Sequence, residues 1–335
     1  MPTFLQRLKS LFAPPQDAPS DPREAARWAY RLILLREPES EAVVRHLANA
    51  GGHREMRNQL LQSQEARENA GIPPMVSLDG NEPPQRVEVH VDPAQRDALF
   101  AKVQAVWHAL GEEQPHWSVA TNEEYRPENI EQSLDRFYAT GEGNVETLLR
   151  TLRRNGIDPA TLRSCMDFGC GVGRLTVPLA KRFAHIDAVD VSASHLAVAR
   201  EAFEKRGITN VATHHLERIE SLSMLPSVDL VFSVIVLQHN PPPVMRALVD
   251  GLLGRLRPGG VAVFQLPTYL PKVYRFVLSE YLATGGQDME MHALPQSEVF
   301  AAAREAGVNV LEVLEDSWTG FGLGSRSNTF VMRRA

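Results

Sequence analysis

Three glycines at alternate positions, directly after a short apolar stretch, constrain the fold of this chain most. Residues 166–175 read MDFGCGVGRL. We predict a buried strand, then a glycine turn, then a helix that opens at Val172. Glycine lets the backbone turn tightly and approach a ligand closely, and a helix N-terminus offers unpaired N–H groups to an anionic group. The turn is therefore predicted to face a ligand.

Two acidic residues close the first two predicted strands. Asp167 ends the strand before the turn, and Asp190 ends the next strand, residues 185–190. A carboxylate at the second position can accept both hydroxyls of a ribose. The dinucleotide pattern G-x-G-x-x-G requires a third glycine, but Arg174 or Thr176 stands there, so that pattern is not met.

The order D-x-G-x-G-x-G followed by V-D-x-S resembles motifs I and II of the class I S-adenosylmethionine-dependent methyltransferases. The resemblance implies S-adenosylmethionine as cofactor, with the glycine turn facing its methionine part and the second acid holding its ribose. By resemblance these roles fall on Asp167, Gly169, Gly171, Gly173 and Asp190. The alternative is a structural strand, turn and helix in another α/β protein.

Further residues join the predicted cofactor site because of their positions beside these motifs. Cys170 either lies near the cofactor or is simply small enough for the turn. Residues just past the third strand reach the adenine edge in this family, so Glu217 and Arg218 are candidates. The remaining neighbours that we include are Arg174, Val191, Ser192, Ser233 and Gln238.

From residue 164 onward, predicted strands and helices alternate, which indicates a parallel sheet covered by helices on both faces. The turn Arg257-Pro258-Gly259-Gly260 after a helix is another feature that resembles this methyltransferase family. The predicted fold is α/β, Rossmann-like, with a seven-stranded, mostly parallel sheet over residues 156–335. A final antiparallel pair completes that sheet.

The first 155 residues are predicted to hold separate elements. Residues 1–20 form a flexible tail or a short amphipathic helix, 21–70 a small helical bundle, 71–92 a linker and 93–155 a helical lid. Within 21–70, the segments YRLILLREP and LLQSQEAR resemble a phycobilisome-linker-like domain of unknown function found in bacterial surface-polysaccharide enzymes. That resemblance implies association rather than chemistry.

Aromatic and basic side chains before and after the motif are candidates for the acceptor site. By position, the lid candidates are His116, Trp117, Tyr125, Tyr138 and, in the variable region 268–294, Tyr269. These side chains could equally pack between domains.

A hydroxyl acceptor would need a general base, and the unperturbed pKa of histidine, roughly 6.5, suits that role. His239, just past the fourth strand, is the first candidate, and His292 is the second. No His, Cys or carboxylate cluster has metal-ligand spacing, so we predict no metal.

Charge and composition narrow the partners. The net charge of −6 lacks the basic footprint of nucleic-acid proteins, and two cysteines favour the cytoplasm, with attachment at the inner membrane face as an option. We predict O-methylation of a sugar hydroxyl in glycan synthesis. The alternatives are another small-molecule or lipid methyltransferase and a catalytically silent cofactor-binding scaffold. Residues 1–70 would contact a membrane or an assembly complex, and the chain would form homo-oligomers.

Overall fold

The computed structural model describes residues 19, 21–63, 65–66, 78, 82–271, 274–284, 289–316, 318–319 and 324–335. The chain divides into two compact units, Met1–Val76 and Ser77–Ala335. Apart from Pro19, the predicted tail 1–20 lies outside the described residues, as does most of the predicted linker before residue 82.

The described part of the first unit contains the three helices that the sequence predicts: α1 (Pro22–Ala29), α2 (Glu41–Ala48) and α3 (His53–Leu61). Asp21 caps α1 by accepting from the Arg23 backbone N–H at 3.0 Å, as expected of an acid before a proline at the first helical position. Val44, Leu47 and Met56 form its buried core.

The second unit is built on a mixed sheet, to which the described residues supply seven strands. They are β2 (Ser164–Phe168), β3 (His185–Asp190), β4 (Val211–His215), β5 (Val228–Ser233), β6 (Leu256–Tyr269), β8 (Val308–Asp316) and β9 (Arg326–Arg334). The short strands β1 (Arg86–Val87) and β7 (Arg275–Phe276) pair with each other in a separate sheet.

The strand order in the seven-stranded sheet is β4-β3-β2-β5-β6-β9-β8. All neighbours are parallel except that β9 runs antiparallel to both β6 and β8. The predicted Rossmann-like sheet with an inserted last strand is confirmed.

Helices cover both faces of this sheet. The α-helices described in this unit are α4 (Pro93–Glu113), α5 (Ile130–Arg154), α6 (Thr176–Ala180), α7 (Ala193–Lys205), α8 (Pro242–Leu253), α9 (Leu278–Thr284) and α10 (Gln296–Glu305). One apolar core joins side chains of α4, α8 and α10, such as Leu99, Leu248 and Ala302, to the sheet. A second apolar core joins α5 and α6 to the sheet, through Leu148 and Leu179.

One predicted helix boundary needs correction, and two helices continue through a glycine. Helix α6 begins at Thr176 rather than Val172, because Gly173 is left-handed and prolongs the turn. Helix α4 passes through Gly111, where an added Cβ would lie 2.4 Å from Ser194 Oγ. Helix α5 is continuous through Gly141, where an added Cβ would lie 2.2 Å from the Arg174 carbonyl oxygen. The last two glycines therefore serve close packing, not helix termination.

None of the helices in the described ranges is both long and apolar enough to cross a membrane.

Candidate functional site

A cavity of about 650 Å³ opens at the carboxyl ends of β2, β3 and β5, the edge where ligands bind in open α/β sheets. Its volume lies within the usual range of small-molecule sites. The wall residues on which the assignments below depend are Trp107, Ser118, Val119, Tyr125, Asn144, Gly169, Cys170, Gly171, Arg174, Asp190, Val191, His195, Ile235, Val236, Gln238, His239, Met289 and Met291.

The glycine turn forms one wall of this cavity. The backbone N–H groups of Gly169 and Cys170 both donate to the Val189 carbonyl oxygen, at 2.8 and 3.1 Å, and so fix the turn to β3. Gly171 is left-handed (φ +53°), and an added Cβ there would lie 2.6 Å from a methyl group of Val119. A side chain at this position would have to displace Val119, so glycine lets the turn and this residue pack together.

Asp190 lies at the end of β3 and lines the cavity, as the sequence predicts. One carboxylate oxygen accepts from the Gly171 backbone N–H at 2.7 Å, and the other accepts from the Ser192 backbone N–H at 2.8 Å. Each carboxylate oxygen has a second lone pair. The carboxylate is therefore held in place and can still accept the two hydroxyls of a ribose.

Arg174 follows the turn and is one of the residues that line the cavity. Its Nη1 donates to Asn144 Oδ1 at 2.9 Å, whereas its buried Nε has no hydrogen-bond partner within the described residues. A buried guanidinium N–H without an acceptor is costly. Together with Asp190 and the glycine turn, it fits a ligand carrying a carboxylate and a ribose, as S-adenosylmethionine does.

His239 also lines this cavity, just past β5. Its Nδ1 lies 2.9 Å from the Glu290 carbonyl oxygen. A carbonyl oxygen can only accept, so Nδ1 carries the proton, and Nε2, which lies 3.5 Å from Gln238 Nε2, is the basic nitrogen of the neutral ring. Burial lowers the pKa of His239, which keeps the imidazole neutral at neutral pH.

The wall around His239 is mostly apolar. The Trp107 ring meets its imidazole edge-on, with 5.2 Å between the ring centroids, and Ile235, Met289 and Met291 also line this end. Ile235 and Met289 have left-handed backbones, with φ of +58° and +50°. Such a conformation is rare for a β-branched residue and often marks a functional site.

A segment between α4 and α5 packs against the glycine turn through Val119. Ser118 and Val119 line the cavity. The His195 imidazole joins this segment to the residues just after β3, with Nε2 2.9 Å from Ser118 Oγ and Nδ1 2.8 Å from Ser192 Oγ. No sequence motif marks these contacts, because they join segments far apart in the chain.

Several residues predicted to bind the cofactor do not line the cavity. Asp167 lies beneath the turn and accepts from Thr176 Oγ1 at 2.6 Å, and burial raises its pKa to about 6. Ser233 Oγ donates to the Phe168 carbonyl oxygen at 3.0 Å. Gly173, Ser192, Glu217 and Arg218 also lie outside the lining, whereas Gly169, Cys170, Gly171, Arg174, Asp190, Val191 and Gln238 are part of it. Asp167 and Ser233 therefore support the strand ends beneath the cavity, whereas Glu217 and Arg218 are exposed side chains outside its lining.

Of the five predicted aromatic and histidine lid residues, Tyr125 lines the cavity. His116 packs edge-on against Phe137, and burial lowers its pKa to about 4. The others contact the protein: Arg126 lies over the Trp117 ring, Tyr138 Oη donates to the Val172 carbonyl oxygen at 3.0 Å, and Tyr269 Oη donates to the Pro83 carbonyl oxygen at 2.8 Å. Four of these five side chains therefore pack against other protein groups rather than in the cavity wall.

His292 is not a cavity-lining residue. It is buried behind the cavity wall, where its ring bonds to Tyr274 and Glu290. Across the described chain, no group of three His, Cys, Asp or Glu residues is arranged to hold a metal ion.

Comparison with known proteins places residues 165–260 in a methyltransferase-domain family. A ubiquinone biosynthesis O-methyltransferase of Pseudomonas aeruginosa (strain UCBPP-PA14) is 30% identical over 176 residues, which are 50% of this chain and 74% of the relative. The enzyme of the same name from Psychrobacter cryohalolentis is 24% identical over 201 residues, 58% of this chain and 72% of the relative. The resemblance of residues 21–70 to a phycobilisome-linker-like domain stays a prediction.

Similar solved structures include the magnesium protoporphyrin IX methyltransferase of Synechocystis PCC 6803 with bound S-adenosylhomocysteine. It has a TM-score of 0.47 and 18% identity, over 70% of this chain and 100% of that one. An N-methyltransferase of Bradyrhizobium japonicum WM9 has a TM-score of 0.42 and 19% identity, over 61% and 97% of the two chains.

Proposed function

The chain belongs to the S-adenosylmethionine-dependent methyltransferases, and we propose that it transfers the methyl group to a hydroxyl of an apolar small molecule, with His239 as general base. The observation that carries this proposal is the position of His239 at the apolar end of the cavity. Its relatives are O-methyltransferases by name, which supports oxygen as the acceptor atom.

S-adenosylmethionine is the cofactor, and it supplies an electrophilic methyl group on a sulfonium. Arg174 would hold its carboxylate, since this cationic residue lines the cavity directly after the glycine turn. Asp190 would hold its ribose, and the left-handed backbone at Gly171 leaves room for close approach. Positioning of this kind supplies much of the rate gain in a displacement reaction.

His239 would accept the proton of the acceptor hydroxyl. The hydrogen bond between Nδ1 and the Glu290 carbonyl oxygen fixes the ring and leaves Nε2 to take that proton. Because burial lowers the pKa of His239, the ring is in its basic form at neutral pH. General base catalysis of this kind contributes about 10²- to 10⁴-fold.

The cavity wall favours an apolar acceptor over a sugar. A sugar ring needs several hydrogen bonds, but the polar side chains beside His239 are engaged within the protein. Gln238 Oε1 accepts from Gln265 Nε2 at 3.1 Å, and Asn240 Nδ2 donates to the Val236 carbonyl oxygen at 3.0 Å. Methylation of a sugar hydroxyl stays a prediction.

The association role predicted for residues 1–70 also stays a prediction, as do homo-oligomerisation and placement at the inner membrane face. It is supported by three apolar side chains at helical spacing in the first unit. Trp28, Leu32 and Leu35 are 48%, 67% and 75% exposed, which is unusual for a surface without a partner.

The proposal is tested by incubating the full chain with methyl-labelled S-adenosylmethionine and two acceptors, 4-octylphenol and methyl α-mannoside. We expect label on the phenol oxygen and none on the glycoside. Transfer to the glycoside alone would overturn the apolar acceptor and support the sugar prediction. Cofactor binding with transfer to neither acceptor would favour the silent scaffold.

A further inference from the structure

Residues 289–292 form a wall with two different faces. The side chains of Met289 and Met291 line the main cavity, whereas His292 is buried on the far side. The backbone of this segment is hydrogen-bonded to both Gln238 and His239. The Glu290 carbonyl oxygen accepts from His239 Nδ1 at 2.9 Å, and the His292 N–H donates to the Gln238 carbonyl oxygen at 2.8 Å.

Four polar side chains behind this wall bond to one another. Tyr274 Oη lies 3.0 Å from His292 Nδ1, and His292 Nε2 lies 3.0 Å from Glu290 Oε2. Tyr281 Oη donates to the same Glu290 oxygen at 2.8 Å. The Phe276 ring packs edge-on against His292, with 5.6 Å between the centroids. Glu290 is thus held through its side chain and its backbone together.

The protons in this cluster have a consistent order. Burial raises the pKa of Tyr274, and burial together with the hydrogen bond to Glu290 raises the pKa of Tyr281. Both phenols therefore keep their protons at neutral pH and act as donors. With Tyr274 donating to Nδ1, His292 donates from Nε2 to Glu290. The Glu290 carboxylate then receives two donors from one side of the wall.

From this arrangement we infer that Glu290 and His292 are positioning residues, which hold the Glu290 carbonyl oxygen against His239 and thereby select the His239 tautomer that has Nε2 unprotonated. His292 is then not the alternative base that the sequence predicted. The inference rests on the proposed role of His239. Groups one step removed from a functional imidazole commonly fix its tautomer in this way.

The test compares Glu290→Ala, Glu290→Gln and the control Glu280→Ala in the full chain. Glu280 lines a surface pocket together with Glu290 and His292, and its carboxylate pairs with Arg275. ¹⁵N spectra of labelled histidines give the tautomer of His239, whose signal is identified by its loss in His239→Gln. Methyl transfer to 4-octylphenol gives kcat, and calorimetry gives the affinity for S-adenosylmethionine.

We expect the wild type and Glu280→Ala to show the Nδ1–H tautomer alone. Glu290→Ala should show a mixture of tautomers and a kcat lower by about 10- to 100-fold, with unchanged cofactor affinity. Glu290→Gln keeps an acceptor for Tyr281 and should stay within about threefold of the wild type, since one neutral hydrogen bond replaces a charged one.

Two results would overturn the inference: a pure Nδ1–H tautomer with unchanged kcat in Glu290→Ala, or a mixture of tautomers in which Glu290→Gln is as damaged as Glu290→Ala. A fully active His239→Gln would instead refute the proposed base. In that case the tautomer spectra alone still decide whether Glu290 positions the ring.

Discussion

The two ends of the cavity are built in different ways. The glycine-turn end (Gly169 to Arg174 with Asp190) comes from one continuous stretch of strand, turn, helix and strand. The acceptor end (Trp107, Ile235, His239, Met289 and Met291) is assembled from three segments that are far apart in the sequence. The first is a local structure that a motif can specify, whereas the second exists only once the sheet and α4 have packed.

The two ends also differ in backbone strain. Gly171 adopts a left-handed backbone at little cost, but Ile235 and Met289 adopt it as non-glycine residues, at about 1–2 kcal/mol each. The Ile235 backbone N–H donates to the buried Gln265 Oε1 at 2.9 Å, which helps to hold this conformation. The acceptor end therefore trades some stability for the placement of its side chains.

Replacement of His239 should give the largest effect and should separate the two ends. His239→Ala removes the base, so kcat with 4-octylphenol should fall by about 10²- to 10⁴-fold. Cofactor affinity, measured by calorimetry, should stay within about twofold because the side chain touches only the acceptor end. A fully active variant would remove His239 as the base.

Replacement of Arg174 should have the opposite signature. Arg174→Ala removes a charge-assisted donor from the glycine-turn end, and the dissociation constant for S-adenosylmethionine should rise about 10- to 100-fold. Arg200→Ala is the matched control, because that side chain donates to Thr213 Oγ1 and does not line the cavity. Equal affinity in the two variants would contradict the carboxylate assignment.

A substitution at Ile235 should show the trade between stability and acceptor binding. Asparagine tolerates the left-handed region, so Ile235→Asn should unfold at the same free energy as the wild type or up to about 1 kcal/mol higher. It places a polar group in the apolar wall, and KM for 4-octylphenol should rise about 3- to 10-fold. Urea unfolding and steady-state kinetics measure the two effects, and an unchanged KM would show that Ile235 does not touch the acceptor.

The pH profile should reveal the buried base. An ordinary histidine is half protonated at roughly pH 6.5, and a protonated ring cannot accept a proton. Because burial lowers the pKa of His239, kcat should stay level as pH falls through 6.5 and decline only below it. A decline centred at or above 6.5 would contradict a buried base at this position.

Removal of the N-terminal residues should have the smallest effect. Among the described residues, all that line the cavity lie between 103 and 319, in the unit Ser77–Ala335. Deletion of residues 1–70 should therefore leave kcat and KM for a dissolved acceptor within about twofold, as for independent sites. A truncated protein that is folded but inactive would show that the first unit takes part in the reaction.

The sequence specified the sheet and the glycine-turn end well, because alternating strands and helices and a short motif depend on neighbouring residues. His239 was named from its position after β5, and it lines the cavity; its role as the base stays a proposal. The sequence did not identify Trp107, because its helical spacing assigns it to a packed face. It also did not identify His195, whose two partners, Ser118 and Ser192, lie 74 residues apart in the sequence. Ser192 caps the helix that carries His195. Contacts of this kind arise from long-range packing and leave no local pattern.

Some residues beside the motif were predicted to bind the cofactor but do not line the cavity. Asp167, Ser233 and Gly173 lie beside the ligand-facing residues in the sequence, but strand alternation and the turn direct their contacts into the protein. Position along a strand predicts nearness to a site, whereas only the register shows which side chains face it.

The central claim is that the cofactor and the acceptor meet between Arg174 and His239. A crystal structure with bound S-adenosylhomocysteine tests it most directly. We predict the carboxylate of the ligand on Arg174, its ribose hydroxyls on Asp190 and its sulfur facing the end of the cavity that holds His239. A ligand bound elsewhere, or bound with its sulfur turned away from His239, would contradict the account.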